Sequence, residues 1–188
     1  KNFELVVEEK GLLQVELIAH GVTAHASEPY KGKNPILMLM SLYEALIDIY
    51  KMPKDETEFV TSINLSKLNG GDANNMVPSK ATMILDIRYT SDIAPNDIIN
   101  NIKLLCDDID INVLTCDPTF NVDKKLPIIT NFIKAAEGIL GKKIEIKKCV
   151  ATSDAIYFSH KNIPTILMNP IGDFWHGPLE YVEIDSLY

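Results

Sequence analysis

The chain is poor in cysteine, in aromatic residues and in long apolar runs. Its 188 residues include three cysteines and one tryptophan, and 7% are aromatic. Cys106, Cys116 and Cys149 lack C-x-x-C spacing, so they fit buried thiols in a reducing cytoplasm better than a disulfide framework or a zinc knuckle. No run approaches the roughly 18 apolar residues of a membrane span. The sequence therefore predicts a cytoplasmic protein without a membrane partner.

A clustered basic surface is also missing. The chain carries 18 basic and 26 acidic residues, a net charge of −8, and the two signs are interleaved. Recognition of nucleic acid needs a basic face, because the phosphate backbone supplies much of the affinity. A nucleic-acid partner is therefore not expected.

Apolar periodicity predicts an α+β fold over the first two thirds of the chain. Residues alternate as in strands, or recur at helical spacing, in the order β-α-β-β-α-β. That order is typical of the split β-α-β arrangement, an antiparallel four-stranded sheet with both helices on one face. The predicted strands are 12–19, 57–65, 81–89 and 111–116, and the predicted helices are 34–50 and a second from Asp92 or Pro95 to about 105.

The two flanking segments have a different pattern of apolar residues. Residues 1–10 predict a strand that leads through a turn into the sheet domain, 11–117. Residues 118–188 predict a helix at 127–140, strands at 143–148 and 164–168, and a short helix ending near His160. They carry too little apolar surface for an independent core and are interpreted as a segment of a larger α/β domain.

Two loops of small and polar residues could carry chemistry. His25 lies in Gly21-Val22-Thr23-Ala24-His25-Ala26-Ser27, where small neighbours leave the imidazole free to donate a hydrogen bond to a developing oxyanion. Asn75 lies in a Gly-Gly and Asn-rich loop, where its amide could orient a carbonyl or carboxylate. A capping histidine and a plain Gly-Asn hairpin loop are the alternatives.

Arg88 and His176 are candidates of a different kind. An arginine in an apolar strand is typical of a bidentate carboxylate clamp, although Asp86 on the same strand allows a structural ion pair. His176 stands beside Gly177 and Pro178 in a loop after a strand, a plausible position for a metal ligand, but one histidine makes no metal site.

Taken in order, these clusters resemble one family. The run G-x-x-A-H-A-S-x-P-x-x-G-x-N-P, then N-G-G-x-x-x-N-x-V-P, D-I-R, T-S-D-A and H-G-P-x-E-Y-V, resembles the cocatalytic-zinc aminoacylase and carboxypeptidase family. Its members include desuccinylases, deacetylases, carboxypeptidases and dipeptidases. The resemblance covers nearly the whole chain, from about Leu5 to Tyr188.

The resemblance implies a fold and a function. The fold is an α/β catalytic domain interrupted by a ferredoxin-like lid, which forms a homodimer in several members, and the cofactor is two zinc ions, or cobalt or manganese in their place. The substrate is an N-acyl amino acid or a small peptide, cut at a linear amide. Each site residue takes an implied role: catalytic, His25; substrate binding, Asn75, Arg88, Thr152 and Ser153; metal binding, His176.

The sequence departs from the family before the lid. The family's H-x-D motif, bridging aspartate and Glu-Glu pair have no match here, and Glu8-Glu9 is interpreted as solvated charge at a strand end. A longer N-terminal half is therefore expected, and this chain alone is expected to be inactive. The alternatives are a stand-alone dimerisation or ligand-binding module of ferredoxin-like fold, and a plain structural domain.

Overall fold

A computed structural model describes residues 3–55, 57–174 and 177–187. The chain forms two compact units. The central unit is Gly11–Asp117, and the terminal unit combines Lys1–Lys10 with Pro118–Tyr188.

The helices and strands include the expected ones together with three short strands that were not predicted, at Phe120–Asn121, Gly172–Asp173 and Tyr181–Val182. The strands are β1 (Leu5–Glu9), β2 (Gly11–His20), β3 (Ser62–Gly70), β4 (Lys80–Tyr89), β5 (Ile109–Asp117), β6 (Phe120–Asn121), β7 (Ile146–Cys149), β8 (Leu167–Met168), β9 (Gly172–Asp173) and β10 (Tyr181–Val182). The α-helices are α1 (Pro35–Ile49), α2 (Pro95–Leu105), α3 (Pro127–Leu140) and α4 (Ala155–Ser159), with 3-10 helices at Pro29–Lys31 and Ile184–Leu187.

The central unit has the predicted β-α-β-β-α-β order. Its sheet runs β3-β4-β2-β5, and every neighbouring pair is antiparallel. Alternate side chains of β2 and β4 share one buried cluster with apolar residues of α1 and α2, which places both helices on one face. The α+β, ferredoxin-like fold is therefore confirmed.

Helix α1 begins at a point where Asn34 and Pro35 reduce the number of unpaired backbone N–H groups in its first turn. The Asn34 side chain accepts a hydrogen bond from the Ile36 N–H at 2.9 Å, and Pro35 occupies the first turn, where an N–H would have no partner. Leu39, Leu42 and Leu46 face the sheet and are buried. Each fully buried leucine contributes roughly 1.5–3 kcal/mol relative to an exposed one, so this face holds the helix on the sheet.

Several predicted boundaries are wrong. Strand β3 starts at Ser62 rather than 57, because the Asp55 side chain accepts the Thr57 N–H and holds a turn there. Gly70 belongs to the strand, paired with Ala81, and the chain turns at Gly71 with a φ of 88°. The strand expected at 164–168 is reduced to Leu167–Met168.

The terminal unit is organised around β1. This strand pairs in parallel with β7 and antiparallel with β6 and β8. Residues from β1, β6, α3 and α4 and from two adjoining loops form a second buried cluster: Leu5, Phe120, Val122, Ile129, Ile144, Ala155 and Ile156. This segment therefore has more core than its apolar content suggests. Helix α3 has its predicted bounds and ends at Gly141, which adopts a left-handed conformation at φ 64°.

The structure bears on two expectations drawn from the composition, one about the cysteine thiols and one about membrane spans. The expectation of buried thiols is wrong for Cys116, which is exposed, while Cys106 and Cys149 are partly exposed. Within the described residues, no helix combines the length and the apolar character needed to cross a membrane.

Candidate functional site

The loop that carries His25 is closed at its base. Val22 and Lys33 exchange two backbone hydrogen bonds of 2.9 Å, and the Gly21 N–H donates to the Ser79 carbonyl at 2.8 Å. A Cβ on Gly21 would lie 2.5 Å from the Lys33 oxygen, and one on Gly32 would lie 2.6 Å from the Val22 oxygen. Glycine at both positions therefore lets the two ends of the loop approach each other.

His25 and Asn75 are brought together by the backbone. The Ala26 N–H donates to the Asn75 carbonyl at 2.9 Å, and the Val77 N–H donates to the Ala24 carbonyl at 2.8 Å. These bonds form an isolated antiparallel bridge between His25 and Met76. Two of the polar clusters found in the sequence thus form one exposed feature beyond the end of β2.

The His25 ring is held from one side. Its Nδ1 lies 2.8 Å from the Ser27 hydroxyl and accepts the Ser27 backbone N–H at 3.2 Å. The ring is exposed, and among the described residues none is hydrogen-bonded to Nε2. Nε2 is therefore the ring atom available to an external group.

Arg88 lies at the other end of the sheet. It pairs with Leu12 at the start of β2, whereas Lys80 pairs with His20 at the end of β2. Eight residues of strand correspond to about 26 Å, so the central unit does not bring Arg88 to the His25 loop. The Arg88 Nε donates to the Asp86 carboxylate at 2.7 Å, and the Gln14 amide donates to the same carboxylate at 2.8 Å. These contacts fit a structural ion pair between Arg88 and Asp86, the alternative that the sequence left open.

Thr152 and Ser153 are hydrogen-bonded within the terminal unit. The Ser153 hydroxyl donates to Glu9 Oε2 at 2.7 Å, and the Ser153 N–H donates to the same oxygen at 3.2 Å. The Thr152 hydroxyl donates to the Lys10 carbonyl at 3.0 Å. These side chains therefore tie the loop after β7 to the end of β1.

The interpretation of Glu8-Glu9 as solvated charge is wrong. Glu8 is 8% exposed and is paired with Lys148 at 2.6 Å, and Glu9 is 2% exposed. Burial raises the pKa of Glu9, against the opposing effect of its hydrogen bonds from Ser153. The continuous apolar run before Glu8 was the available signal, because strands in parallel sheets are buried on both faces.

Glu9 is thus a functional candidate that the sequence analysis missed. Strands β1 and β7 are parallel, so their carboxyl ends, Glu9 and Cys149, lie at one edge of the sheet. Residues 152–154 follow at the same edge. Ligands of open α/β sheets bind outside the carboxyl ends of the strands, and burial of a carboxylate there has a free-energy cost that the hydrogen bonds from Ser153 offset in part.

A metal centre is not assembled by the described part of the chain. It contains no group of three or more His, Cys, Asp or Glu side chains close enough to hold an ion. His176, the predicted ligand, lies outside the described residues. Zinc takes three or four protein ligands, so the described residues do not fit a complete zinc site.

Comparison with known proteins identifies the family. Residues 7–113 match the peptidase dimerisation domain of the M20 family, a match that covers more than half of the chain. The chain belongs to this family, and the resemblance seen in the motifs is confirmed.

The similar proteins are hydrolases about twice as long. A succinyl-diaminopimelate desuccinylase of Pseudoalteromonas atlantica is 23% identical over 183 residues, which cover 95% of this chain and 48% of the relative. A LysW-lysine/LysW-ornithine hydrolase of Saccharolobus solfataricus is 25% identical over 190 residues, covering 98% and 51%. The chain therefore spans about half the length of the relatives it matches.

Solved structures agree on the fold. Aminopeptidase PepT of Bacillus cereus superposes with a TM-score of 0.81 at 22% identity, covering 100% of this chain and 51% of its own. An M20 family metallo-carboxypeptidase of Sulfolobus solfataricus gives a TM-score of 0.74 at 16% identity, covering 100% and 57%. Both likenesses extend past Asp117, so they include the terminal unit as well as the dimerisation domain.

Proposed function

We propose that the chain is the lid and the C-terminal catalytic segment of a two-zinc amidohydrolase that cuts linear amides of N-acyl amino acids or small peptides. The central unit is the lid, residues 1–10 are the catalytic strand that leads into it, and residues 118–188 complete the catalytic domain. The similarity of relatives over both units favours this function over a stand-alone dimerisation module, which would end near Asp117.

One observation carries the proposal: His25 presents Nε2 from an exposed loop whose base is closed and whose middle is bonded to the Asn75 segment. A group held in this way can donate to an oxyanion without reorganising during the reaction. Asn75, beside it, binds the acyl or carboxylate part of the substrate.

The separation of Arg88 from His25 supports a dimeric site. Gly11 and Asp117, where the chain enters and leaves the lid, pair with Tyr89 and Leu12 at the Arg88 end of the sheet. His25 lies at the far end. We therefore propose a homodimer in which Arg88 and His25 of one lid serve two different active sites, with His25 reaching the site of the partner subunit.

The metal belongs to the same proposal. Membership of an M20 peptidase family implies a divalent metal, and we propose two zinc ions, with cobalt or manganese as substitutes. His176 is the proposed ligand from this chain, and Thr152 and Ser153 are the proposed substrate-binding residues at the edge that holds Glu9. We further propose a cytoplasmic location and no nucleic-acid partner.

The test is His25→Ala in the complete hydrolase, with His20→Ala as the matched control. Both histidines are exposed in the central unit, and His20 contacts Asp110 at 3.0 Å beside the end of β2. Loss of an oxyanion donor should lower kcat and kcat/KM together by roughly a hundred- to a thousandfold. His20→Ala should turn over normally, and both variants should keep their stability within about 0.5 kcal/mol.

The opposite pattern contradicts the assignment. If His25→Ala melts several degrees lower and still turns over normally, His25 is a structural histidine of its loop.

A further inference from the structure

We propose that Ser27 is a positioning residue that fixes the tautomer and the orientation of His25, so that the ring presents Nε2–H to the substrate. The inference rests on the proposed function of His25 and extends it by one residue. Nothing in the family match assigns a role to Ser27.

The backbone settles which nitrogen accepts. An amide N–H can only donate, and the Ser27 N–H points at His25 Nδ1 at 3.2 Å. Nδ1 must therefore carry a lone pair rather than a proton. In a neutral imidazole the proton is then on Nε2, the nitrogen that no described residue engages.

The hydroxyl reinforces the backbone contact. Ser27 Oγ lies 2.8 Å from Nδ1 and, because that nitrogen is an acceptor, the hydroxyl donates to it. Two donors from one residue thus meet the same ring atom. Together they fix the plane of the ring as well as its tautomer, since a rotated ring would lose both bonds.

The loop keeps Ser27 in place independently of the ring. The Ala26 N–H, one residue earlier, bonds the Asn75 carbonyl, and the Glu28 N–H, one residue later, bonds the His25 carbonyl at 2.9 Å. Ser27 and the ring are both exposed. A hydrogen bond on the surface contributes little to folding, so the role of Ser27 lies in what the ring presents.

The tautomer decides whether His25 can stabilise an oxyanion. With the proton on Nε2, the free edge of the ring donates to the carbonyl oxygen as negative charge develops there. With the proton on Nδ1, the same edge would present a lone pair and repel that oxygen. No proton is transferred in this step; the ring only donates a hydrogen bond.

The ring state can be measured directly on the 188-residue chain. Long-range proton–nitrogen spectra of histidine-labelled protein distinguish a protonated from an unprotonated ring nitrogen, and the His25→Ala variant assigns the signals. In the neutral ring, Nδ1 should be unprotonated and Nε2 protonated. Ser27→Ala should raise the Nδ1–H fraction, and Ser27→Thr, which keeps the hydroxyl, should restore the original spectrum.

Ser79→Ala is the matched control. Ser79 is exposed in the segment that pairs with Gly21, and its side chain makes no hydrogen bond to the described residues. This variant should leave the His25 signals unchanged. A wild-type ring protonated on Nδ1, or a Ser27→Ala spectrum identical to the wild type, overturns the inference.

Kinetics of the complete hydrolase distinguish a failure of the inference about Ser27 from a failure of the proposed function of His25. Losing one neutral hydrogen bond that orients the donor should lower kcat about two- to tenfold with KM unchanged. Ser27→Thr and Ser79→Ala should stay within about twofold. If His25→Ala is inactive and Ser27→Ala is fully active, Ser27 has no positioning role and the proposed function stands. If His25→Ala turns over normally, the proposed function fails whatever the spectra show.

Discussion

Gly11→Ala should destabilise the central unit, although alanine is a better strand residue than glycine. Gly11 is the first residue of β2, opposite Tyr89. A Cβ there would lie 2.2 Å from Tyr89 Cζ and 2.6 Å from its hydroxyl oxygen. Carbon atoms in good contact are about 3.5–4.0 Å apart, so the Tyr89 ring would have to move by more than an ångström.

The ring has little freedom to move. Tyr89 is 4% exposed, and its hydroxyl donates to the Asp117 carbonyl at 2.7 Å. Burial raises the pKa of Tyr89 to about 12, which keeps the hydroxyl protonated and donating at neutral pH. Overpacking typically costs about 1–3 kcal/mol, and the displaced hydrogen bond adds about 0.5–1.5 kcal/mol. The smaller unfolded-state entropy of alanine returns only about 0.4–1 kcal/mol.

The expected net loss is therefore about 0.5–4 kcal/mol in the free energy of unfolding of the central unit. For a unit of this size, each kcal/mol lowers Tm by roughly 4–8 °C. Hydrogen exchange of the β2 and β4 amides, measured beside thermal unfolding, assigns the change to this sheet. Gly138→Ala is the control: a Cβ there meets nothing within 4 Å in α3, so that substitution should stabilise its helix.

A second background tests the cause. Tyr89→Leu removes the ring atoms that the new methyl group would strike. Gly11→Ala should then cost much less in the Tyr89→Leu background than in the wild type, a coupling of at least about 1 kcal/mol. An equal cost in both backgrounds would show that the contact with the Tyr89 ring is not the cause.

Three more predictions follow from charge, ligands and surface. Burial raises the folded-state pKa of Glu9 above 4.5, so the contribution of this group to stability is present below pH 4.5 and is lost as the pH rises through the folded pKa. The Glu9→Gln variant should therefore unfold at a higher denaturant concentration than the wild type at neutral pH. A difference that persists below pH 4.5 would contradict this prediction. Calorimetry on the 188-residue chain should show only weak zinc binding, and tight binding of two ions would contradict the proposal that ligands from outside this chain complete the site. Light scattering should show a dimer formed through α1 or an edge strand. If α1 is the interface, the double variant Leu37→Glu and Met40→Glu, at exposed positions, should dissociate the dimer, and Leu104→Glu on α2 should not. A wild-type monomer at high concentration would contradict this prediction.

The sequence was sufficient for the central unit because its signals are local and repeated. The apolar residues that alternate along β2 and β4 and those at helical spacing in α1 all belong to one buried cluster. Tertiary packing therefore agrees with the local pattern. The error at β3 has a local cause. Residues 57–61 favour a strand by composition, but the turn held by Asp55 and Thr57 delays pairing until Ser62.

The site was predicted less completely, since its contacts join residues far apart in the chain. Ser153 reaches Glu9 across 144 positions, and no spacing rule relates the two. Glu9 looked like solvated charge because two adjacent carboxylates usually are. Its burial depends on pairing between β1 and β7, and the only trace of that pairing in the sequence is the short apolar run before Glu8.

The paired base of the His25 loop separates what lies inside it from the sheet. Since Val22 and Lys33 close the loop on themselves, residues 23–31 can change without altering the register of β2 with β4. The segment can therefore vary in sequence as a unit, provided that glycine is kept at 21 and 32 and the bridge to Met76 is preserved. Changes within this loop would then leave the fold that carries it the same.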